Sequence, residues 1–128
     1  MSRTVLICDD AKFMRVVIAR MLESGGWTVV GEAATGPEAL AQYGQLKPDL
    51  VTMDVVMPEM GGIETVRQIV AADPGAAIIM CSAMGQEAMM AEAIESGAAA
   101  FVVKPFDEHK LLRAADQALA RRMARSAQ

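Results

Sequence analysis

The run Thr4-Val5-Leu6-Ile7-Cys8, followed at once by Asp9-Asp10, decides how the rest of the chain is read. Five successive uncharged, mostly aliphatic residues leave no face reserved for water. That is the pattern of a strand covered on both sides in a parallel sheet, and the two acids mark where it stops. Runs of the same kind stand at residues 28–33, 50–53, 77–81 and 100–103. The segments between them carry apolar residues at helical spacing: Met14, Val17, Ile18, Met21 and Leu22, then Ile63, Val66 and Val70, then Met90, Ala93 and Ile94. Leu111, Leu112, Ala115, Ala118 and Leu119 continue the pattern. Strand and helix therefore alternate five times, which predicts an α/β fold with a doubly wound, five-stranded parallel sheet and five helices.

The punctuation agrees with this reading. Thr35 with Glu38 spells a capping box, Gly25 and Gly97 stand where helices should stop, and Asp107 is placed to cap the last helix. The run at 28–33, with Gly31 and Glu32 near its end, is the expected sheet edge. Most of the eleven methionines lie on the apolar stripes, so packing accounts for them. The tail after residue 120, with Arg121, Arg122 and Arg125, reads as a solvated extension of the last helix.

Composition narrows the function. A chain of 128 residues with 53% hydrophobic and 22% charged residues can fill a single core, so residues 1–128 are expected to form one domain. Sixteen acidic residues against twelve basic ones give a net charge of -4, the wrong sign for neutralising the phosphates of a nucleic acid. No apolar run approaches the roughly 20 residues that span a bilayer, and the basic-then-apolar layout of a secretion signal is missing. The expected setting is the cytoplasm, away from nucleic acid and membrane. Cys8 and Cys81 close apolar runs, as small buried thiols do, and lack a His or third Cys at ligand spacing.

In an open parallel sheet, ligands bind beyond the carboxyl ends of the strands. Asp9 and Asp10 follow the first strand, Asp54 the third, Ser82 the fourth, and Lys104 with Pro105 the fifth. Taken singly, each is an ordinary helix cap or turn residue; taken together, they line one edge. Three carboxylates there cannot all stay ionised without a cation, because neighbouring like charges raise one another's pKa. A hard divalent ion answers this, and magnesium suits one or two carboxylates together with phosphate oxygens. Lys104 adds a point charge and Ser82 a hydroxyl, half of a phosphate cradle.

At these positions the chain resembles the two-component response-regulator receiver domains, and most closely the single-domain chemotaxis regulators of the CheY type. The resemblance covers residues 4–120. Its motifs are Val5-Leu6-Ile7-Cys8-Asp9-Asp10, Met53-Asp54-Val55-Val56-Met57-Pro58-Glu59-Met60-Gly61-Gly62, Cys81-Ser82-Ala83-Met84-Gly85-Gln86 and Val103-Lys104-Pro105-Phe106. It implies a flavodoxin-like fold with strand order 2-1-3-4-5, and Asp54 as acceptor of a phosphoryl group from a histidine kinase. Asp9 or Asp10 would hold Mg²⁺ directly or through water, with Asp54 and the Val56 backbone carbonyl as the other protein ligands. Ser82 and Lys104 would bind the phosphoryl oxygens, and the Lys104-Pro105 bond would be cis. The switch aromatic matches Phe101, where many relatives have Tyr, and output would run through the fourth helix, fifth strand and fifth helix.

Val56 and Met84, each two residues beyond a site residue, are apolar and cannot orient a water. Slow loss of the phosphoryl group is expected unless a phosphatase supplies a polar group. The implied protein is an autocatalytic phospho-acceptor and autophosphatase, not a turnover enzyme, acting on the flagellar motor switch protein or another downstream partner. A phosphorelay intermediate or a regulator of another pathway would use the same chemistry. A flavodoxin-like cofactor protein would want glycine and hydroxyl residues where Asp9 and Asp10 stand, and a small phosphatase would need more chain for a substrate cap.

Overall fold

Alternating strands and helices form throughout the computed structural model, which describes residues 3–83, 85–105 and 107–126. The strands are β1 (Thr4–Cys8), β2 (Thr28–Ala33), β3 (Leu50–Asp54), β4 (Ile78–Ser82) and β5 (Ala100–Val103). The helices are α1 (Lys12–Ser24), α2 (Gly36–Leu46), α3 (Gly62–Ala72), α4 (Glu87–Glu95) and α5 (Glu108–Ser126). All pairings are parallel and the order is β2-β1-β3-β4-β5, so β2 is an edge as its polar end suggested. The expected Thr35 cap is present, its hydroxyl accepting the Glu38 N–H, while Glu38 reaches back to the Ala34 N–H. Asp107 accepts the Lys110 N–H at 2.8 Å and so caps α5.

Two apolar layers sandwich the sheet. On one face Ile18 and Leu22 of α1 and Leu111, Ala115 and Ala118 of α5 cover Val5, Ile7, Leu50 and Ile79. On the other, Ala39 and Tyr43 of α2, Val66 and Ile69 of α3 and Ala93 of α4 cover Leu6, Val51, Met53, Ile78 and Met80. Burying such aliphatic side chains contributes about 1.5–3 kcal/mol each, so alternation along the inner strands fixes which helix takes which face.

Several details depart from the expectation. Ile94 is 47% exposed; Ala93 faces the core as expected, and it is Met89 that packs beside it. Gly25 ends α1, but it is Gly26 that takes the positive φ (91°). The tail is not simply solvated: Arg121 donates to the Ala99 carbonyl, and Arg122 donates to the Gly75 carbonyl and to Asp73. The Arg125 side chain lies outside the described part, as do Met84 and Phe106.

Candidate functional site

Parallel strands all point their carboxyl ends the same way, so the residues that close β1, β3, β4 and β5 meet at one edge. Asp54 and Ser82 are the last residues of β3 and β4, paired with Cys81 and Val103 respectively, one step earlier than the loop positions expected for them. Asp9 and Asp10 follow β1, and Lys104 follows β5. One carboxylate oxygen from each of Asp9, Asp10 and Asp54 lies within 4.8 Å of the others. Asp9, Asp54 and Ser82 are buried, whereas Asp10 is exposed and opens the cluster to solvent.

Lys104 closes the cluster. Its Nζ lies 2.7 Å from Asp9 Oδ2 and 3.6 Å from Asp54 Oδ1, so the contact is tighter with Asp9 than with Asp54. The Lys104 backbone N–H donates to the Ser82 carbonyl at 2.7 Å, fixing the end of β5 against β4, and the Lys104-Pro105 bond is cis as the resemblance implied.

The electrostatics are unbalanced. Burial pushes the Asp54 carboxyl up to about 6; Lys104 opposes this, Asp9 adds to it, the Val56 backbone N–H opposes it and Asp10 adds to it. Burial pulls the Lys104 ammonium down, but its bond to Asp9 and the charge of Asp54 outweigh burial and leave it above its ordinary value. One ammonium among three carboxylates leaves negative charge in excess. Three hard oxygen donors converging beside such a charge form a donor set that fits Mg²⁺. The two cysteines take no part: burial raises both thiols, Cys81 to about 12, so neither is a thiolate near neutral pH.

The remaining expected residues are placed as follows. Val56 is 58% exposed on the loop after β3, and its backbone faces Asp54. Phe101 is not part of the cluster; it lies on β5 opposite Met80, half-buried against the α2–α4 side of the core. Beside it a surface cavity of about 350 Å³ is lined by Val103, Lys110, Arg113 and Gln117.

Two contributors were not singled out from the sequence. A Cβ on Gly62 would collide with the Asp54 carbonyl oxygen, and the Gly62 N–H donates to the Val55 carbonyl at 2.8 Å, so only glycine lets α3 start against the end of β3. The Gly61-Gly62 pair was the available signal. Arg15 Nη1 donates to the Asp9 carbonyl at 2.6 Å, and nothing in the local sequence announces it.

Comparison with known proteins agrees with this geometry. The family described as response regulator receiver domain matches residues 5–116. The chain is 51% identical over 114 residues to the chemotaxis protein CheY of Thermotoga maritima, covering 89% of this chain and 95% of that protein. It is 48% identical over 119 residues to CheY of Bacillus subtilis, covering 93% and 99%. Among solved structures, CheY in the CheX-CheY-BeF3-Mg+2 complex from Borrelia burgdorferi superposes with a TM-score of 0.84 at 36% identity, over 87% of this chain and 84% of that one. The response regulator domain of Thermotoga maritima CheB gives 0.86 at 35% identity, over 94% and 98%.

Proposed function

The chain belongs to the family of response regulator receiver domains, and from that premise we propose that it is a switch that stores a phosphoryl group on Asp54. The observation that carries the proposal is the position of Lys104, which bridges Asp9 and Asp54 inside a three-carboxylate cluster. With a carboxyl value of about 6, Asp54 is ionised at neutral pH and can act as nucleophile. One of its oxygens attacks the phosphorus of a phosphohistidine on a kinase; the O–P bond forms as the N–P bond breaks, and the imidazole leaves.

Asp9, Asp10 and Asp54, with the Val56 carbonyl, would hold Mg²⁺, which when bound supplies neutralisation of the charge on the transferring group. Lys104 releases part of its hold on Asp9 to take a phosphoryl oxygen, and Ser82 takes another. Phosphoryl transfer needs positioning and charge compensation more than covalent help, and these residues supply both. The protein is then a phospho-acceptor that resets by hydrolysis, not a turnover enzyme.

The output reading is a chemotaxis regulator of the cytoplasm, supported by its resemblance to CheY proteins over most of the chain. Among the described residues no helix is long and apolar enough to cross a membrane. Movement at Ser82 and Lys104 would bias Phe101 and the face made by α4, β5 and α5, which would bind the flagellar motor switch protein. Because Val56 is exposed and apolar, it cannot orient an attacking water, and a phosphatase partner fits that lack. The complex of CheX with CheY from Borrelia burgdorferi supports a protein partner for this chain.

Incubation with acetyl phosphate and Mg²⁺, followed by mapping of the acyl phosphate, tests the reading. Label is expected on Asp54 and none on Asp54→Asn; an unchanged rate of uptake in Asp54→Asn overturns it. Tighter binding of the phosphorylated form to a motor-switch peptide than to a histidine phosphotransfer protein supports the chemotaxis output, and the reverse order makes it a phosphorelay intermediate.

A further inference from the structure

The start of α1 breaks the local rules for a helix. Its N-cap is Ala11, whose side chain makes no cap bond, and no acid stands in its first turn. Instead Lys12 and Arg15 place positive charge at the end of the helix where the backbone dipole is already positive. Such a conflict between local preference and observed sequence marks a position serving something else.

Arg15 shows what that is. Its side chain is 15% exposed and held at both ends of its fork: Nη1 donates to the Asp9 backbone carbonyl at 2.6 Å, and Nε pairs with Glu32 Oε1 at 2.8 Å. Glu32 lies on β2, and its own backbone carbonyl accepts from Gln42 of α2. The peptide that joins Asp9 to Asp10 is thereby tied sideways to the sheet edge. The turn around it is further restrained by the Asp9 N–H to the Ala33 carbonyl at 3.0 Å and by the Ala11 N–H to Asp9 Oδ1 at 2.9 Å. The three bonds hold the turn from its donor side, its side chain and its carbonyl.

We propose that Arg15 is a positioning residue that sets the divalent-cation affinity of the Asp9/Asp10/Asp54 cluster by fixing the Asp9–Asp10 peptide. The inference rests on the cation-binding reading above. Arginine is needed for its planar fork, which reaches a carbonyl and a carboxylate at once; lysine carries the same charge on a single point. The charge of Arg15 by itself opposes a dication, so positioning and simple electrostatics predict opposite signs for its removal.

The test is a Mg²⁺ titration of the unphosphorylated full chain, followed by amide NMR shifts at the β1–α1 turn, for the wild type, Arg15→Gln and Arg15→Lys. Arg15→Gln is expected to weaken Mg²⁺ roughly tenfold or more, the usual scale for a residue that orients a metal ligand. Arg15→Lys is expected to recover less than half of that loss on a logarithmic scale. Amide hydrogen exchange at Asp10 should speed up in both, while far-UV circular dichroism stays native. Mg²⁺ binding that is unchanged or tighter in Arg15→Gln, or fully restored in Arg15→Lys, overturns the proposal. If Arg15→Gln does not fold, Arg15→Lys decides against the wild type: Mg²⁺ binding weaker by roughly threefold or more supports the proposal, and wild-type affinity overturns it. Wild-type protein that fails to bind Mg²⁺ defeats the cation-site reading itself, a separate outcome.

Discussion

Asp54 at the carboxyl edge of the sheet and Asp73 at the amino edge are the same side chain in opposite circumstances. Asp73 accepts from the Tyr43 hydroxyl at 2.6 Å, from the Gly75 N–H at 3.1 Å and from Arg122 at 3.3 Å. The Tyr43 bond, outweighing burial and joined by Arg122 and Gly75, holds its carboxyl below the usual range. Asp54 shares one ammonium with a second buried acid, and its carboxyl is pushed up to about 6. One carboxylate is satisfied and ties α2, the loop before β4 and α5 together. The other is left short of compensation, which is what makes it available to a cation and a phosphorus atom. Structural and reactive acids differ here in what surrounds them, not in type.

The rigid frame around Asp54 offers the largest effect by which to probe this contrast. Gly62→Ala forces α3 away from the Asp54 carbonyl and is expected to cost about 3 kcal/mol in urea unfolding, with slower uptake of label from acetyl phosphate. Next, Asp73→Asn should lose about 2 kcal/mol by stripping charge from the Tyr43 and Arg122 bonds, while leaving the rate of phosphorylation at the wild-type value. A slowed rate there would erase the distinction between the two edges.

Asp54→Asn should do the reverse. Without Mg²⁺ at pH 7 it is expected to gain on the order of 1–2 kcal/mol, because the carboxylate it removes is held ionised against burial. The two acids also pull the pH dependence in opposite directions. Asp73, depressed in the fold, contributes stability that is present above the unfolded value of about 4 and lost as pH falls below it. Asp54, raised in the fold, favours the folded state below about pH 4, and that contribution is lost as pH rises through about 6. Unfolding free energy measured from pH 4 to 7 should therefore lose its downward Asp54 component in Asp54→Asn and in wild type with saturating Mg²⁺.

The smallest effect belongs to a second clamp of the amino edge, where Arg3 stacks over Trp27 with 5.2 Å to the ring centroid and pairs with Asp116 at 3.3 Å. Arg3→Gln should cost about 0.5–1 kcal/mol and leave phosphorylation untouched.

Much of this was legible from the order of residues. The bounds of β1 and β5 were readable because each run ends in a change of polarity that is also the end of the ladder, and β2 keeps its expected bounds although Ala34 follows Ala33 without such a change. β3 and β4 run one residue further than expected, through Asp54 and Ser82, because backbone pairing with Cys81 and Val103 is indifferent to whether a side chain is polar. The acids and Lys104 could be placed at one edge from topology alone, since parallel strands deliver their carboxyl ends together. That Lys104 sits closer to Asp9 than to Asp54 could not be read.

Sequence by itself determined the alternation, the two-faced core and the set of polar groups that the carboxyl edge would receive, because burial periodicity and strand direction are local properties of the chain. Only tertiary structure decided that Arg15 grips a backbone carbonyl, that Gly62 makes room for Asp54 and that Arg122 leaves solvent for Asp73. Those contacts depend on distances across elements. A side chain meeting a carbonyl leaves no trace in residue type, whereas one meeting an apolar layer does.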